Sequence, residues 1–288
     1  ENVNELTPGC ALIIRKAGTF SEEKILEPLE KRSCSFERIY FSRGSDRDVY
    51  QERMALGRSV CPAILEAVDH DLENTVFSFI PNTAEVAFYG MLKELDDQLD
   101  KVKERRILAL GANPSAEKIR SILALRPRLE KVAIKDAKLR TFITADDARD
   151  DLVAHVYDIT YGSVRRDVDD LVVIDDSIVR GNTTGPLIKL LRNAGAKEVH
   201  VAITCPSISH PCFMGVDMGK HDNLIAHKRT VEDIRQFVGA ESLYYLSLDG
   251  MMRAVGRKDG FCQACFTGQY PISVDLSNVK TGFERVTK

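Results

Sequence analysis

Short apolar runs alternate with longer amphipathic segments along most of this chain. Residues 12–14, 38–41 and 75–80 are short, mostly apolar runs, and each is predicted to form a strand. Residues 48–68 and 84–95 carry apolar side chains at helical spacing and are predicted to form helices. The alternation of strands and helices continues to the end of the chain. It predicts an α/β fold with a mostly parallel sheet and helices on both faces.

The composition changes between residues 92 and 131, where charged residues become frequent. An amphipathic helix is predicted there from apolar residues at helical spacing: Leu92, Leu95, Leu99 and Val102. A second helix is predicted to start around Ser115 and to end at Pro127, and residues 132–134 to resume the sheet. The segment is therefore interpreted as a helical insertion that forms a solvated surface subdomain.

Composition and charge narrow the class of protein. The chain has 288 residues, 44% of them apolar and 29% charged, with a formal net charge of −3. This charge gives no reason to expect nucleic acid or an anionic membrane as a partner. No apolar run is long enough to span a membrane, and the polar residues 1–5 do not resemble a secretory signal, so we expect a cytoplasmic protein. Seven cysteines in a reducing compartment point to packing, metal ligation or catalysis rather than disulfides.

The most informative stretch is a strand, a loop and a helix near residue 175. Residues 171–174 are four apolar residues, typical of a strand buried on both faces. A polar loop follows, and then a helix that has Pro186 in its first turn and Gly195 after its end. Residues 199–203 are predicted to be the next strand. Together these elements form a strand–loop–helix–strand unit.

The residue types in this loop indicate a ligand with a phosphate and a second polar group. Free amides at a helix start, with the hydroxyls of Ser177, Thr183 and Thr184, are suited to an anion. Asp175 and Asp176 would repel a phosphate, so they are expected to contact sugar hydroxyls, a metal or a developing positive charge at the ligand-binding end of the strand. The alternative is that they only cap a turn. No Walker A or Gly-x-Gly-x-x-Gly motif is present, which disfavours an NTPase or a dinucleotide enzyme.

The same stretch resembles a known motif. Residues 174–184 read Ile-Asp-Asp-Ser-Ile-Val-Arg-Gly-Asn-Thr-Thr and are similar to the phosphoribosylpyrophosphate (PRPP) motif of type I phosphoribosyltransferases, in the form found in amidophosphoribosyltransferases. The resemblance implies that Asp175 and Asp176 are the catalytic pair, contact the ribose hydroxyls and help to hold Mg²⁺. It also implies that eight residues bind the 5′-phosphate: Ser177, Ile178, Val179, Arg180, Gly181, Asn182, Thr183 and Thr184.

Two further segments resemble loops of the same family. Residues 80–85 resemble the pyrophosphate loop, which implies that Thr83 binds PRPP and lies near Mg²⁺; Asn82 stands where the family has an acid. Residues 140–143 resemble the start of the flexible loop that closes over the substrate, with Arg140 as a PRPP contact. The family has a basic stretch after it, whereas this chain is acidic there. A solvated acidic loop is the alternative interpretation.

The cysteines add a second resemblance. Cys262 and Cys265 form a C-x-x-C pair, whose spacing alone leaves metal binding, redox chemistry and packing open. Residues 265–271 resemble the C-terminal signature of iron–sulfur amidophosphoribosyltransferases, and Cys34 and Cys212 match the positions of the two remaining ligands. The resemblance therefore implies a structural [4Fe-4S] cluster. Cys10, Cys61 and Cys205 are interpreted as packed thiols.

The resemblance also implies a domain organisation and a reaction. Residues 1–20 resemble the end of a glutaminase domain and its linker, and residues 21–288 would form the phosphoribosyltransferase domain with the insertion at about 92–131 and a C-terminal cluster-binding extension. The implied reaction joins ammonia to PRPP, giving 5-phosphoribosylamine and pyrophosphate at the start of purine synthesis. The implied partners are a missing N-terminal glutaminase domain, purine nucleotides as inhibitors and further copies of the chain in a homo-oligomer.

Two other functions remain open at this point. One is a nucleobase salvage phosphoribosyltransferase, which the four-cysteine pattern and the N-terminal segment argue against. The other is a degenerate module that binds PRPP or nucleotides without turnover. The altered pyrophosphate loop, with Asn82 in place of an acid, and the acidic flexible loop keep this second alternative open.

Overall fold

The computed structural model describes residues 4–135, 157–216, 218, 221–256 and 260–274. Its strands are β1 (Cys10–Ile14), β2 (Phe20–Lys24), β3 (Ser33–Cys34), β4 (Thr75–Phe79), β5 (Arg128–Leu129), β6 (Ala133–Lys135), β7 (Tyr157–Ile159), β8 (Asp170–Asp175), β9 (Glu198–Ile203), β10 (Ser242–Tyr245) and β11 (Phe261–Cys262). Its α-helices are α1 (Arg47–Ala67), α2 (Glu85–Leu108), α3 (Ala116–Leu123), α4 (Thr184–Asn193), α5 (Val231–Val238), α6 (Leu248–Ala254) and α7 (Ala264–Thr267). Two shorter helical turns cover Glu37–Phe41 and His221–Asn223.

The main sheet has five parallel strands in the order β10-β9-β8-β4-β5. Every residue of β4 is buried, and so are the four apolar residues 171–174 of β8. Strands of this kind lie at the centre of a sheet that is covered on both faces. The predicted α/β fold with a mostly parallel sheet is confirmed.

Two helices pack unusually closely beside this sheet. Gly57 of α1 faces α2, and a Cβ atom built on it would lie 1.7 Å from the carbonyl oxygen of Ala87. Gly90 of α2 faces α1 in the same way, at 1.9 Å from the carbonyl oxygen of Met54. Only glycine permits this approach of two backbones. The contact fixes α2, and with it the loop that joins β4 to α2.

The strand predicted over residues 38–41 is wrong. The chain forms a helical turn at Glu37–Phe41, closed by a hydrogen bond of 2.8 Å from the amide of Ser42 to the carbonyl oxygen of Glu37. The ring of Phe36 stacks on Tyr40 at 5.8 Å, which a turn allows and an extended strand does not. A short apolar run without alternation suits either structure, so its burial alone did not decide between them.

The segment at residues 92–131 is more closely tied to the sheet than a surface subdomain would be. The helices predicted over 84–95 and from Leu92 onward are one continuous helix, α2, in which Leu95 and Leu99 are buried. The start of α3 is confirmed: the Ser115 side chain accepts a hydrogen bond from the amide of Lys118. This helix has no buried residue and ends before Pro127. At the end of the segment, β5 pairs with β4 as the edge strand of the main sheet.

Residues 132–134 do not resume the main sheet as predicted. β6 instead pairs antiparallel with β7 in a separate ribbon, with Lys135 opposite Tyr157. β5 occupies the edge of the main sheet next to β4, so β6 does not pair with β4 there. A run of three apolar residues carries no information about that choice.

The strand predicted over residues 12–14 is confirmed as part of β1, which forms an antiparallel hairpin with β2. The domain boundary predicted after residue 20 falls at the first residue of β2. Several large apolar side chains of the hairpin and of the chain after it are exposed: Leu12, Ile13, Ile14, Phe20, Ile25, Leu26 and Leu29. Within the described residues, no helix is both long and apolar enough to cross a membrane.

Candidate functional site

The main pocket lies at the carboxyl ends of β4 and β8, where the direction of the chain across the sheet changes. From β4 the chain runs outward to β5 on one side, whereas β8 leads to β9 and β10 on the other. In open parallel sheets, ligands bind in the crevice that such a reversal creates. The two strand ends are joined by a hydrogen bond of 2.8 Å from the amide of Ile80 to the carbonyl oxygen of Ile174. The topology alone therefore selects this edge as the candidate site.

The residues after both strands line this pocket. The lining comprises Phe36, Tyr40, Ile80, Pro81, Asn82, Thr83, Lys135, Tyr157, Asp175, Asp176, Ser177, Ile178, Val179, Arg180, Gly181, Asn182, Thr183, Thr184 and Leu187. The structure thus brings Thr83 to the same cleft as the carboxylate pair and the polar loop, although about ninety residues of chain separate them.

The two carboxylates sit side by side at the base of the pocket. Asp175 accepts a hydrogen bond of 2.8 Å from the amide of Asp176, and Asp176 accepts one of 2.6 Å from the Ser177 hydroxyl. Burial raises the pKa of Asp176 to about 6, although Ser177, Arg53 and Thr83 each favour its charged form. Burial, followed by repulsion from Asp176, also raises the pKa of Asp175 well above its usual range. The charged forms of both carboxylates are therefore unfavourable in the protein alone, and a bound cation would stabilise them.

The polar loop after the carboxylates is shaped by packing around Gly181. This residue has a φ of +80°, and a Cβ atom on it would lie 2.4 Å from Cδ1 of Ile225. The carbonyl oxygen of Val179 accepts a hydrogen bond of 2.9 Å from the amide of Ile225. The loop leads directly into α4, which begins at Thr184 and has Pro186 in its first turn. A helix start and three hydroxyl side chains thus face one pocket, as an anion site requires.

The antiparallel ribbon forms another wall of the pocket. Lys135 and Tyr157 are paired across β6 and β7, and both line the cleft. The Lys135 ammonium lies 5.5 Å from the centre of the Tyr157 ring, and it favours the charged forms of both carboxylates. Residues 136–156 connect these two pocket residues along the chain. Arg140 and the predicted flexible loop lie outside the described residues.

Four cysteines surround a second cavity. It is lined by Cys34, Cys212, Cys262 and Cys265, together with side chains that include Phe36, Met218 and Tyr270. Burial raises the pKa of Cys34 and of Cys265, and repulsion from the neighbouring cysteines raises both further. Elsewhere, Cys61 and Cys205 are buried, as packed thiols should be, and Cys10 is half-buried.

Backbone pairing brings these four cysteines together from three parts of the chain. β3 and β11 pair in parallel, with Cys34 directly opposite Cys262, and the Ser35 hydroxyl donates to the carbonyl oxygen of Cys262 at 2.8 Å. The amide of His210 donates to the carbonyl oxygen of Cys265 at 3.0 Å. The four cysteines that the sequence singles out therefore line one cavity in the structure.

The sequence and the fold of this chain are similar to those of known proteins. The amidophosphoribosyltransferase of Bacillus subtilis is 32% identical over 283 residues, which cover 94% of this chain and 51% of that protein. The Drosophila melanogaster amidophosphoribosyltransferase is 32% identical over 288 residues, and the match covers 93% of this chain and 46% of that protein. A solved structure, the glutamine PRPP amidotransferase of B. subtilis complexed with ADP and GMP, matches with a TM-score of 0.65 and 32% identity over 95% of this chain and 54% of that chain. No protein-family model matches.

Over the length that it spans, this chain belongs to the amidophosphoribosyltransferase family. It spans about half the length of the relatives it matches. The fold is that of the phosphoribosyltransferase part of these proteins, which confirms the fold class predicted from the PRPP motif.

Two charged residues near the carboxylate pair, Arg53 and Lys135, were not predicted from the sequence. Arg53 is only 5% exposed and is held by hydrogen bonds to the carbonyl oxygens of Arg38 and Ser42, in reach of the charge of Asp176. In the sequence it looks like an ordinary polar position of helix α1. Lys135 had one usable signal, because it directly follows the strand predicted at residues 132–134, and ligands bind beyond the carboxyl ends of strands in open α/β sheets.

The buried carboxylates predict an unusual dependence of stability on pH. Without Mg²⁺, we expect Asp176→Asn to raise the melting temperature at pH 7.5 by roughly a few degrees. The pKa of Asp176 is about 6 in the folded protein and 3.8 in the unfolded chain. Between these pH values the folded state binds more protons than the unfolded state, so stability falls as pH rises through this range. Asparagine is neutral throughout, so the difference in melting temperature should vanish near pH 4.

Thermal unfolding from pH 4 to pH 8 measures this effect. Asp97→Asn is a suitable control, because Asp97 is exposed on α2 and faces Arg58 at 3.4 Å. A melting temperature for Asp176→Asn that follows the wild type at every pH would show that the carboxylate is not destabilised by burial.

Proposed function

We propose that this chain performs the phosphoribosyl transfer of an amidophosphoribosyltransferase, converting ammonia and PRPP to 5-phosphoribosylamine and pyrophosphate in the first step of purine synthesis. The observation that carries the proposal is the position of Asp175 and Asp176. They lie at the reversal point of the sheet, between a phosphate-binding loop and Thr83. A ligand that offers a phosphate, ribose hydroxyls and a metal-bound pyrophosphate satisfies all three groups.

Each part of the pocket has a role in this reaction. Residues 177–184 bind the 5′-phosphate with the start of α4, and the carboxylates of Asp175 and Asp176 hold the ribose hydroxyls. As the bond from the anomeric carbon to pyrophosphate breaks, that carbon becomes cationic, and the negative charge beneath it favours this state. Neutral ammonia attacks without a general base. No histidine is therefore required among the lining residues, and none lines the described pocket.

The same residues suit a magnesium ion. Asp175, Asp176 and Thr83 present carboxylate and hydroxyl oxygens, the ligand atoms that Mg²⁺ prefers. When bound, Mg²⁺ supplies positive charge to the leaving pyrophosphate. Asn82, in the position of the family's acid, offers a neutral oxygen in the same loop.

We further propose that Cys34, Cys212, Cys262 and Cys265 hold a [4Fe-4S] cluster with a structural role. A single tetrahedral zinc ion places its sulfur ligands about 3.8 Å apart, from a Zn–S distance of about 2.3 Å. Among the described residues, the only group of three or more potential ligands within 4.8 Å of one another lies elsewhere, at Asp170, Glu198 and His200. No three of the four sulfur atoms around this cavity therefore lie within 4.8 Å of one another, and this supports a cluster larger than a single zinc ion.

The N-terminal hairpin supports the proposed domain organisation. Its exposed apolar side chains, including Leu12, Ile14 and Phe20, form a surface of the kind that normally packs against another domain. We assign residues 1–20 to the end of a glutaminase domain and its linker, and residues 21–288 to the phosphoribosyltransferase part. That glutaminase domain would supply ammonia from glutamine.

Two further partners belong to the proposal. Purine nucleotides are proposed as inhibitors, because the solved B. subtilis relative carries ADP and GMP. A homo-oligomer is proposed as the working assembly.

The proposal predicts which nitrogen source the chain can use. With PRPP, Mg²⁺ and ammonium chloride, the 288-residue chain should release pyrophosphate at a rate that rises between about pH 7 and pH 9, because only the unprotonated amine attacks. With glutamine as the sole nitrogen source, no release above background is expected. An assay of pyrophosphate with each source measures this.

The possible failures of this assay have different meanings. Tight PRPP binding without pyrophosphate release would indicate the alternative, a binding module without turnover. Release that depends on glutamine would show that the segment at residues 1–20 has been misassigned. The chain with both Asp175 and Asp176 replaced by Asn is the control for contaminating enzymes.

A further inference from the structure

A second group of polar side chains lies at the amino ends of the strands of the main sheet, opposite the pocket. Asp170 opens β8, and Glu198 and His200 are the first and third residues of β9; their potential ligand atoms all lie within 4.8 Å of one another. Asp170 is paired with Glu198 across the two strands. The PRPP pocket lies at the carboxyl ends of these strands, so this group belongs to a different site.

The histidine at the centre of the group is buried and incompletely satisfied. Its side chain is 7% exposed, and Nε2 has no hydrogen-bond partner although it lies 3.6 Å from Oε2 of Glu198. Oδ1 of Asp170 is also buried without a hydrogen bond. Buried polar atoms without partners are costly and rare. Two of them that face the same point indicate a missing ligand between them.

The ring of His200 is oriented for ligation. Nδ1 lies 2.9 Å from the hydroxyl of Ser242, on the neighbouring strand β10. With its proton on Nδ1, the ring donates to Ser242 and presents the lone pair of Nε2 to the carboxylates. Burial lowers the pKa of His200, so the neutral form that can bind a metal is favoured. A hydrogen bond from the second nitrogen is the usual way in which proteins orient a metal-binding histidine.

One cation already approaches this group. The Lys197 ammonium lies 3.5 Å from Oδ1 of Asp170 and 4.0 Å from Oε1 of Glu198. The Lys197 side chain is 51% exposed and the Glu198 side chain 41% exposed, so both can move, and solvent has a route to the site. Lys197 thus compensates the carboxylates in part but leaves Nε2 of His200 without a partner.

We propose that Asp170, Glu198 and His200 bind a divalent transition-metal ion, with zinc as the preferred ion. One imidazole nitrogen and two carboxylate oxygens are ligands that zinc accepts, with a fourth position left for water. Magnesium would not use the imidazole. The ion would join the amino ends of β8 and β9 and, through Ser242, β10. Its effect is on the stability of the sheet, independent of phosphoribosyl transfer.

Zinc titration of His200→Asn tests the proposal. Asparagine can keep the hydrogen bond to Ser242, because its side-chain amide reaches the position of Nδ1, but it removes Nε2. In equilibrium dialysis, this variant should bind one zinc equivalent fewer than the wild type. Any zinc that the cysteine cavity takes up is bound by both proteins and cancels in the difference. His70→Asn is the matched control, because His70 is exposed on the turn after α1 and should retain the wild-type count.

Two further variants sharpen the test and guard against misfolding. Glu198→Gln changes a partly exposed side chain and should weaken zinc binding at the same site at least tenfold. Lys197→Gln removes the competing ammonium and should strengthen it several-fold. Zinc should also raise the melting temperature of the wild type but not of His200→Asn. Equal zinc stoichiometry and affinity in the wild type, Glu198→Gln and His200→Asn would overturn the assignment.

Discussion

The double replacement of Asp175 and Asp176 by Asn is expected to lower kcat for PRPP and ammonium by about a thousandfold or more, with the fold preserved. A thousandfold loss corresponds to about 4 kcal/mol of transition-state stabilisation. Removing a single preorganised group that faces developing charge commonly costs a factor of about 10² to 10³. Here two such groups are removed, together with two of the three proposed magnesium ligands.

The fold should survive because the pair does not stabilise the bare protein. Burial raises the pKa of both carboxyls, which means that the folded state disfavours their charge. Asparagine can still accept the hydrogen bonds that now come from the Asp176 amide and the Ser177 hydroxyl. The thermal transition of the double variant should therefore lie at or above that of the wild type at neutral pH.

Steady-state kinetics and PRPP binding in the presence of Mg²⁺ would be measured on the folded variant. Asp97→Asn, an exposed change of the same chemistry, should keep wild-type kinetics. If the folded double variant retained normal kcat and KM, the carboxylates would have no part in the reaction, and the pocket would need another assignment.

Local sequence determined much of this site, because the residues involved are neighbours in the chain. The strand, carboxylates, loop and helix at residues 171–193 lie in one continuous unit whose chemistry can be read from residue order. The start of α3 was also predictable, because Ser115 caps the first turn of this helix. In these segments the local pattern and the tertiary structure agree.

The parts that sequence reasoning missed depend on contacts between distant segments. Arg53 reaches the neighbourhood of Asp176 only because α1 packs closely on α2 and the turn at Glu37–Phe41 accepts its hydrogen bonds. The same turn was predicted as a strand, since its aromatic contacts cannot be read from a short run in which three of four residues are apolar. The pairing of β6 with β7 is non-local for the same reason: twenty-one residues of chain separate the two strands.

The second large effect is expected at the cysteines. Replacing Cys265 by Ser should abolish assembly of the iron–sulfur cluster and loosen the C-terminal extension. Cys265 is the most buried of the four, and its carbonyl oxygen also holds the amides of Ser209 and His210. Ligation of a metal centre contributes directly to folding free energy, so a lost ligand should lower the melting temperature as well.

Iron and labile sulfide after anaerobic reconstitution measure cluster assembly, and hydrogen exchange over β3 and β11 measures the loosening. The wild type should bind about four irons per chain, as a [4Fe-4S] centre requires. Cys10→Ser is the matched control, since Cys10 is a half-buried cysteine of the N-terminal hairpin and should leave both readouts unchanged.

The variant also distinguishes the cluster from simple packing. Cys34 and Cys262 face each other across a parallel pairing of only two residues on each strand, so the backbone pairing between β3 and β11 is short. If the cluster holds them, Cys265→Ser should increase exchange in both strands, even though the mutated residue lies in neither. If packing alone holds them, exchange should rise only near residue 265. Reconstituted protein that contains zinc and no iron, with both strands equally protected in the variant, would contradict the cluster assignment.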